Sequence, residues 1–250
     1  MRHDVAHDVL RWRCIRARVH CRYSMKTLLP RLGALLWLLI FPVAGYAVEN
    51  SAGGGQRRVA FVFDDGPVVG QSEKMLAVLA KENIHVTFSY IGQNVVAHPE
   101  LAKAAFQAGH EINNHSYTHP HLKTLDDATV LQEVTKTSAA IKQATGHAPA
   151  WFWAPFLETD QRIDALIRQA GLEDFPLGKF NFVSTDDWNP KETDAAKILK
   201  RATTGIRDRT VILCHEWRKE TLEDLPAIIS ELRRQGFVFL TFSEMARTKN

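Results

Sequence analysis

Cysteine is nearly missing from this 250-residue chain; there are three, Cys14, Cys21 and Cys214. A small fold stapled by several disulfides is therefore excluded. Fourteen glycines and ten prolines are too few for a collagen-like or low-complexity chain. Neither sign of charge dominates, with 31 Lys/Arg against 28 Asp/Glu. Even that small basic excess is local: residues 1–47 hold eight Lys/Arg and two Asp/Glu, leaving 23 basic and 26 acidic residues in the remainder. The bulk of the chain carries no basic excess that asks for nucleic acid. No apolar run reaches the ~20 residues that span a bilayer. What remains, 45% hydrophobic and 24% charged residues, is enough to bury one sizeable core in one domain, or at most two.

The N-terminal region carries an export pattern. Lys26 and Arg31 precede an uncharged apolar stretch over residues 32–43 (LGALLWLLIFPV), and Gly45 and Ala47 follow with small-x-small spacing. A basic lead, a short apolar centre and a small-residue cleavage site make a secretory signal. Met25 stands directly before it. The expected organisation is an upstream extension over 1–24 with the true start at Met25, then a signal peptide over 25–47. A flexible lead-in over 48–56, with Gly53, Gly54 and Gly55, precedes one folded domain over 57–250. The protein is expected to be exported, periplasmic or secreted, with no stable membrane span after signal cleavage, and a monomer. An uncleaved anchor is the competing reading. Only Cys214 survives in the mature chain, so no internal disulfide forms.

Beyond the lead-in, short β-rich runs alternate with helical patterns. Strands are expected over 58–63, 86–91, 110–114, 151–154, 180–184, Thr210–His215 and 237–242. Helices are expected over Ser72–Glu82, 99–108, 126–145, 159–170, 193–205 and 222–235, several closed by glycine. This βα alternation predicts a parallel sheet wrapped by helices, and about seven units fit a distorted (β/α) barrel better than an open sheet. In such a fold chemistry sits where strands end. The polar residues at those ends are Asp64, Asp65, His115, the 155–156 segment, Asp187 with Trp188, and His215.

Each of these is ambiguous alone. Asp64-Asp65-Gly66-Pro67 reads as plain turn chemistry, or as two carboxylates pointing in different directions, one for a metal and one for a base. His115 and His119 are four apart and converge on one ion if the turn between them is helical. Ser116 follows His115, so the zinc-peptidase signature is absent. His215 ends an apolar strand and could be structural. Cys214 beside it should face the helix layer, since neighbouring strand residues point oppositely. Trp188 and Trp217 could stack on sugar rings or simply pack.

Together these segments resemble the polysaccharide deacetylases, the NodB-homology domain of carbohydrate esterase family 4, across nearly all of residues 57–246. The family's T-F-D-D-G-P appears as Val62-Phe63-Asp64-Asp65-Gly66-Pro67, and its H-[ST]-x-x-H-P as His115-Ser116-Tyr117-Thr118-His119-Pro120. Asp187-Trp188 and Leu213-Cys214-His215 match two later elements, in order. The resemblance implies that Asp65, His115 and His119 hold a divalent metal, zinc or alternatively cobalt. It makes Asp64 the general base for metal-activated water, His215 the general acid and Asp187 the residue that tunes it. Leu213 and Trp188 would contact the acetyl methyl, and Pro155-Phe156 would help bind substrate, with the Phe156 N–H at the oxyanion. The implied activity is removal of N-acetyl groups from N-acetylglucosamine glycans, peptidoglycan or chitin-like oligosaccharides.

Two positions depart from the family pattern. Trp153 stands where an arginine normally pairs with the base, and Ser184 where an earlier aspartate often lies. Losing that cation should raise the pKa of Asp64, unless another base such as Lys179 substitutes. The alternatives are an O-acetyl xylan esterase with the same machinery and a non-catalytic sugar-binding relative.

Overall fold

The computed structural model describes residues 56–192 and 194–248. The upstream extension, the signal segment and nearly all of the lead-in lie outside them. In chain order the elements are β1 (Arg57–Gly66), α1 (Ser72–Glu82), β2 (Thr87–Tyr90), α2 (Gly92–Ala97), α3 (Pro99–Gln107) and β3 (Glu111–Asn114). Then come α4 (Asp127–Thr145), β4 (Trp151–Phe152), α5 (Gln161–Gln169), β5 (Glu173–Asp174), β6 (Asn181–Ser184) and α6 (Ala195–Thr203). β7 (Thr210–His215), α7 (Lys219–Arg234), β8 (Phe237–Phe239) and α8 (Phe242–Arg247) complete the order.

All strand pairs are parallel, in the order β5-β4-β3-β2-β1-β7-β6, with β8 paired to β1 off this path. The sheet is an incomplete barrel, with β5 and β6 at its two edges. β1 is central: one edge pairs with β7 over Val59–Asp64, while the other meets β8 at Arg57–Val59 and β2 from Val62 onward. The expected parallel α/β architecture is therefore present.

Strand alternation sorts the core. Phe61, Phe63, Phe88, Ile212 and Cys214 face the helices and pack with Met75, Leu79, Leu225 and Ile229. Cys214 thus sits in the helix layer, fully buried. Ala60, Val62, Val211 and Leu213 face the barrel interior with Trp153, Phe175 and Phe242. Each fully buried large apolar side chain contributes about 1.5–3 kcal/mol. Helix ends follow their chemistry. Asp126 caps α4 by accepting from the Thr129 N–H at 2.7 Å, and Gly146 closes it at φ 82°.

Several boundaries differ from the sequence reading. The final strand ends at Phe239 rather than 242. Thr241 instead opens α8 with a capping box to Glu244, and Phe242 enters the barrel, its ring centroid 3.6 Å from that of Phe175. The hydrophobic run could not distinguish a strand from a plug. α7 begins three residues earlier than expected and runs through Pro226. The short α2 and the two-residue β5 carry too little periodicity to be read from sequence.

Candidate active site

Apart from Lys179, the residues singled out for chemistry lie at or just beyond the C-terminal ends of the strands, and most line one cavity of about 580 Å³. Asp64 and His215 are register partners on β1 and β7, so the sheet itself sets them side by side. Plain alternation would turn Asp65 away from Asp64. The register between β1 and β2 shifts at this point, and Asp65 adopts φ 72°. That bulge swings both carboxylates into the same cavity. Gly66 is required next to it, because a side chain there would collide with the buried Glu216 carboxylate and the Tyr90 ring.

The segment from His115 to His119 is a loop, not the helical turn the spacing suggested. Ser116 and His119 both have positive φ, at 64° and 60°. Side chains hold the loop: Asn114 Oδ1 accepts from the Ser116 N–H at 2.9 Å, and Ser116 Oγ from the His119 N–H at 3.0 Å. Glu133 of α4 accepts from the N–H groups of Tyr117 and Thr118 at 2.8 and 2.7 Å. The two imidazoles converge all the same. Asp65 Oδ1 lies 3.5 Å from His115 Nε2 and 3.4 Å from His119 Nε2. His115 Nδ1 is 2.6 Å from the Trp153 carbonyl, which can only accept, so Nδ1 carries the proton and Nε2 offers its lone pair to the cluster.

Asp65 Oδ1 is buried without a hydrogen-bond partner. The three donor atoms of Asp65, His115 and His119 lie within 4.8 Å of one another. An orphaned carboxylate oxygen facing two imidazole nitrogens fits a divalent cation, with positions left open for water and substrate. Burial alone would raise the Asp65 pKa, but the surrounding imidazoles of His115, His215 and His119 hold it well below the usual range.

Asp64 behaves oppositely. Burial pushes its pKa up to about 7, against the pull of His115 and His215. Its Oδ2 accepts a 2.7 Å hydrogen bond from the indole of Trp153. A neutral donor thus occupies the place of the expected cation. Lys179, the suggested replacement, lines a different depression beside Asp164 and Asp174 and takes no part. Trp217, read from sequence as a group that either stacks on sugar or simply packs, donates its indole N–H to Asp65 Oδ2 at 2.9 Å. The family pattern pointed to position 153 as the partner of Asp64, but the sequence held no signal that Trp217, 152 residues from Asp65, would hold that carboxylate.

His215 is tied to Asp187 twice, Nδ1 to Oδ1 and backbone N–H to Oδ2, both at 2.8 Å. Thr221 Oγ1 donates to the same Oδ2 at 2.6 Å. Burial would lower the His215 pKa, but the Asp187 hydrogen bond and the charges of Asp64 and Asp187 raise it to about 9. Phe156 and Trp188 stand 50% and 56% exposed on the cavity wall, and Leu213 and Ser184 also line it. Pro155 and Asp187 are not in the lining, and both are buried. Phe156 has φ 59°, stacks on His121 at 4.0 Å and meets the His119 ring at 4.6 Å.

Comparison with known proteins gives the following. The sequence profile described as polysaccharide deacetylase matches residues 51–175. Peptidoglycan-N-acetylglucosamine deacetylase PgdA of Listeria monocytogenes is 29% identical over 189 residues, covering 76% of this chain and 39% of that protein. The chain therefore spans about two fifths of that relative's length. A family 4 carbohydrate esterase from Streptomyces lividans, solved with acetate, superposes with a TM-score of 0.67 at 31% identity, covering 73% of this chain and 91% of the other. A wild-type Bacillus anthracis protein described as a CE4 family pseudoenzyme superposes with a TM-score of 0.70 at 25% identity, covering 76% of this chain and 66% of the other.

Proposed function

This chain belongs to the polysaccharide deacetylase family, and from that premise we propose that it is an exported, metal-dependent hydrolase that removes N-acetyl groups from N-acetylglucosamine-containing glycans. The observation that carries the reading is the meeting of Asp64, Asp65, His115, His119 and His215 in one cavity. A sugar-binding module has no need of two carboxylates and three imidazoles so arranged. The name of the Listeria relative supports peptidoglycan as the substrate class; chitin-like oligosaccharides, built of the same N-acetylglucosamine unit, stand beside it. The signal segment supports export, and among the described residues no helix is long and apolar enough to cross a membrane.

Asp65, His115 and His119 would hold the cation, and their mixed nitrogen and oxygen donors suit zinc, with cobalt as a substitute. When bound, such an ion polarises an acetamide carbonyl and acidifies water. Asp64 takes the proton of the attacking water; a carboxylate balanced near neutrality suits a base, and a cation beside it draws its pKa down. His215 holds a proton at neutral pH and delivers it to the departing amine, which leaves poorly unless protonated. Asp187 keeps the ring oriented and charged. Leu213 and Trp188 form the apolar wall for the acetyl methyl. The Phe156 N–H faces the oxyanion, and Pro155 shapes the turn that presents it.

Two other readings follow from particular observations. The similarity to a carbohydrate esterase favours an O-acetyl ester, as in acetylated xylan, as the bond cleaved by the same machinery. Trp153 in the arginine position, with the likeness to a pseudoenzyme, favours a binder without turnover. The protein with added zinc is assayed for acetate release from N-acetylglucosamine oligomers, peptidoglycan and acetylated xylan. Release from either of the first two supports the N-deacetylase. Release from xylan alone makes it an esterase, and release from none, with zinc bound, makes it a binder.

A further inference from the structure

Asp65 is the only carboxylate of the metal cluster, and a carboxylate has two equivalent oxygens. Nothing in the strand decides which one meets the imidazoles. The structure assigns that decision to Trp217: its indole N–H, donated to Asp65 Oδ2 at 2.9 Å, fixes the carboxylate so that Oδ1 alone faces the cation. This role rests on reading Asp65, His115 and His119 as the metal cluster.

Two independent observations support it. Oδ1 is left buried and unpartnered, 3.4–3.5 Å from both histidine Nε2 atoms, while Oδ2 is satisfied elsewhere. Trp217 is also held in place on several sides. Its carbonyl accepts from the Gln71 side chain at 3.3 Å, the Arg218 guanidinium lies 5.6 Å from its ring centroid, and the His215 ring lies 5.7 Å away. An indole held this way is an oriented donor rather than a loose packing group.

The choice of donor matters physically. A guanidinium or ammonium at this point would hydrogen-bond Asp65 equally well, but its charge would compete with the cation for the carboxylate. The indole N–H orients the oxygen and leaves the full negative charge for the ion. Without it, Oδ2 is free to turn toward the cluster or to water, and the ligand pays an ordering cost on each binding event. Trp217 is therefore a positioning residue for the metal, acting through Asp65.

Zinc affinity, measured by competition with a chromophoric chelator, and the visible spectrum of bound cobalt test this without any substrate. Removing a hydrogen-bond partner of a metal ligand typically weakens binding by roughly ten- to a hundredfold. Trp217→Phe, which keeps a ring and loses the N–H, is expected to show that loss and an altered cobalt spectrum. Trp217→Gln is expected to bind zinc more tightly than Trp217→Met, since the two side chains are similar in size and only the first donates. Unchanged zinc affinity in a folded Trp217→Phe overturns the role. If that variant does not fold, Gln binding no tighter than Met overturns it. Failure of the parent protein to bind zinc at all overturns the metal reading itself, and this role with it.

Discussion

Trp153, 1% exposed in the barrel interior, donates its indole N–H to Asp64 Oδ2 across 2.7 Å, while its backbone carbonyl receives His115 Nδ1 at 2.6 Å. One residue thus holds both the proposed base and a proposed metal ligand. With Trp217 on Asp65, each of the two adjacent carboxylates has its own indole donor. A hydrogen bond favours the charged carboxylate less than an arginine would, so burial prevails and Asp64 stays near neutrality.

Trp153→Phe removes that donor while keeping most of the buried ring. The ionised form of Asp64 is then less favoured, so its pKa rises. The acidic limb of the kcat/KM profile should move to higher pH and zinc affinity should change little. A limb that stays in place would show that the indole does not act on Asp64.

Substituting Asp64→Asn should lower kcat by roughly two to four orders of magnitude, the usual scale for a lost general base. Zinc and oligosaccharide binding, followed by calorimetry, should survive. Full turnover in this variant would remove Asp64 from the base role.

His215 predicts the alkaline limb. Its raised value means that the acid form persists until about pH 9 and activity falls above it. Asp187→Asn withdraws the stabilising charge, so the limb should move down toward the ordinary histidine range of ~6.5. The same shift has a stability consequence. The stabilisation from the charged pair is complete below about pH 6.5, the unfolded value, and disappears as pH rises through about 9. Urea midpoints measured across that window should fall in the parent protein and stay flatter in the variant.

Removal of metal offers a direct check on the cluster of Asp65, His115 and His119. Dialysis against a chelator should abolish acetate release, and zinc or cobalt should restore it. His119→Ala should prevent that restoration at stoichiometric metal. Hydrolysis that persists in chelator would contradict a metal-dependent reaction.

Phe242 tests the fold rather than the chemistry. It fills the barrel among Phe175, Trp151 and Phe180. Phe242→Ala should cost about 3–5 kcal/mol in denaturant unfolding, the range for emptying a buried aromatic site. A side chain on an exposed edge strand would cost far less.

Much of this protein is determined locally. The alternation of apolar runs with helical patterns, and the turn-forming Asp-Asp-Gly-Pro, depend on neighbours a few positions apart. They made the parallel α/β architecture and the rim of Asp64, Asp65, His115, Asp187 and His215 legible in the sequence. Boundaries failed where a local pattern served two structures. The run from Phe237 to Phe242 suits a strand throughout, yet the Thr241 capping box turns its end into a helix that plugs the barrel. The spacing of His115 and His119 suited a helical turn, yet Glu133 and the positive φ values of Ser116 and His119 build a loop. Only the tertiary structure decided how the carboxylates differ. The bulge at Asp65 brought them into one cavity, and burial raised the pKa of one while the histidines lowered that of the other. Their indole donors come from 89 and 152 residues away, and no spacing rule reaches that far. Such contacts exist because the closed core brings distant strands together, and the protonation of a buried group depends on all that surrounds it.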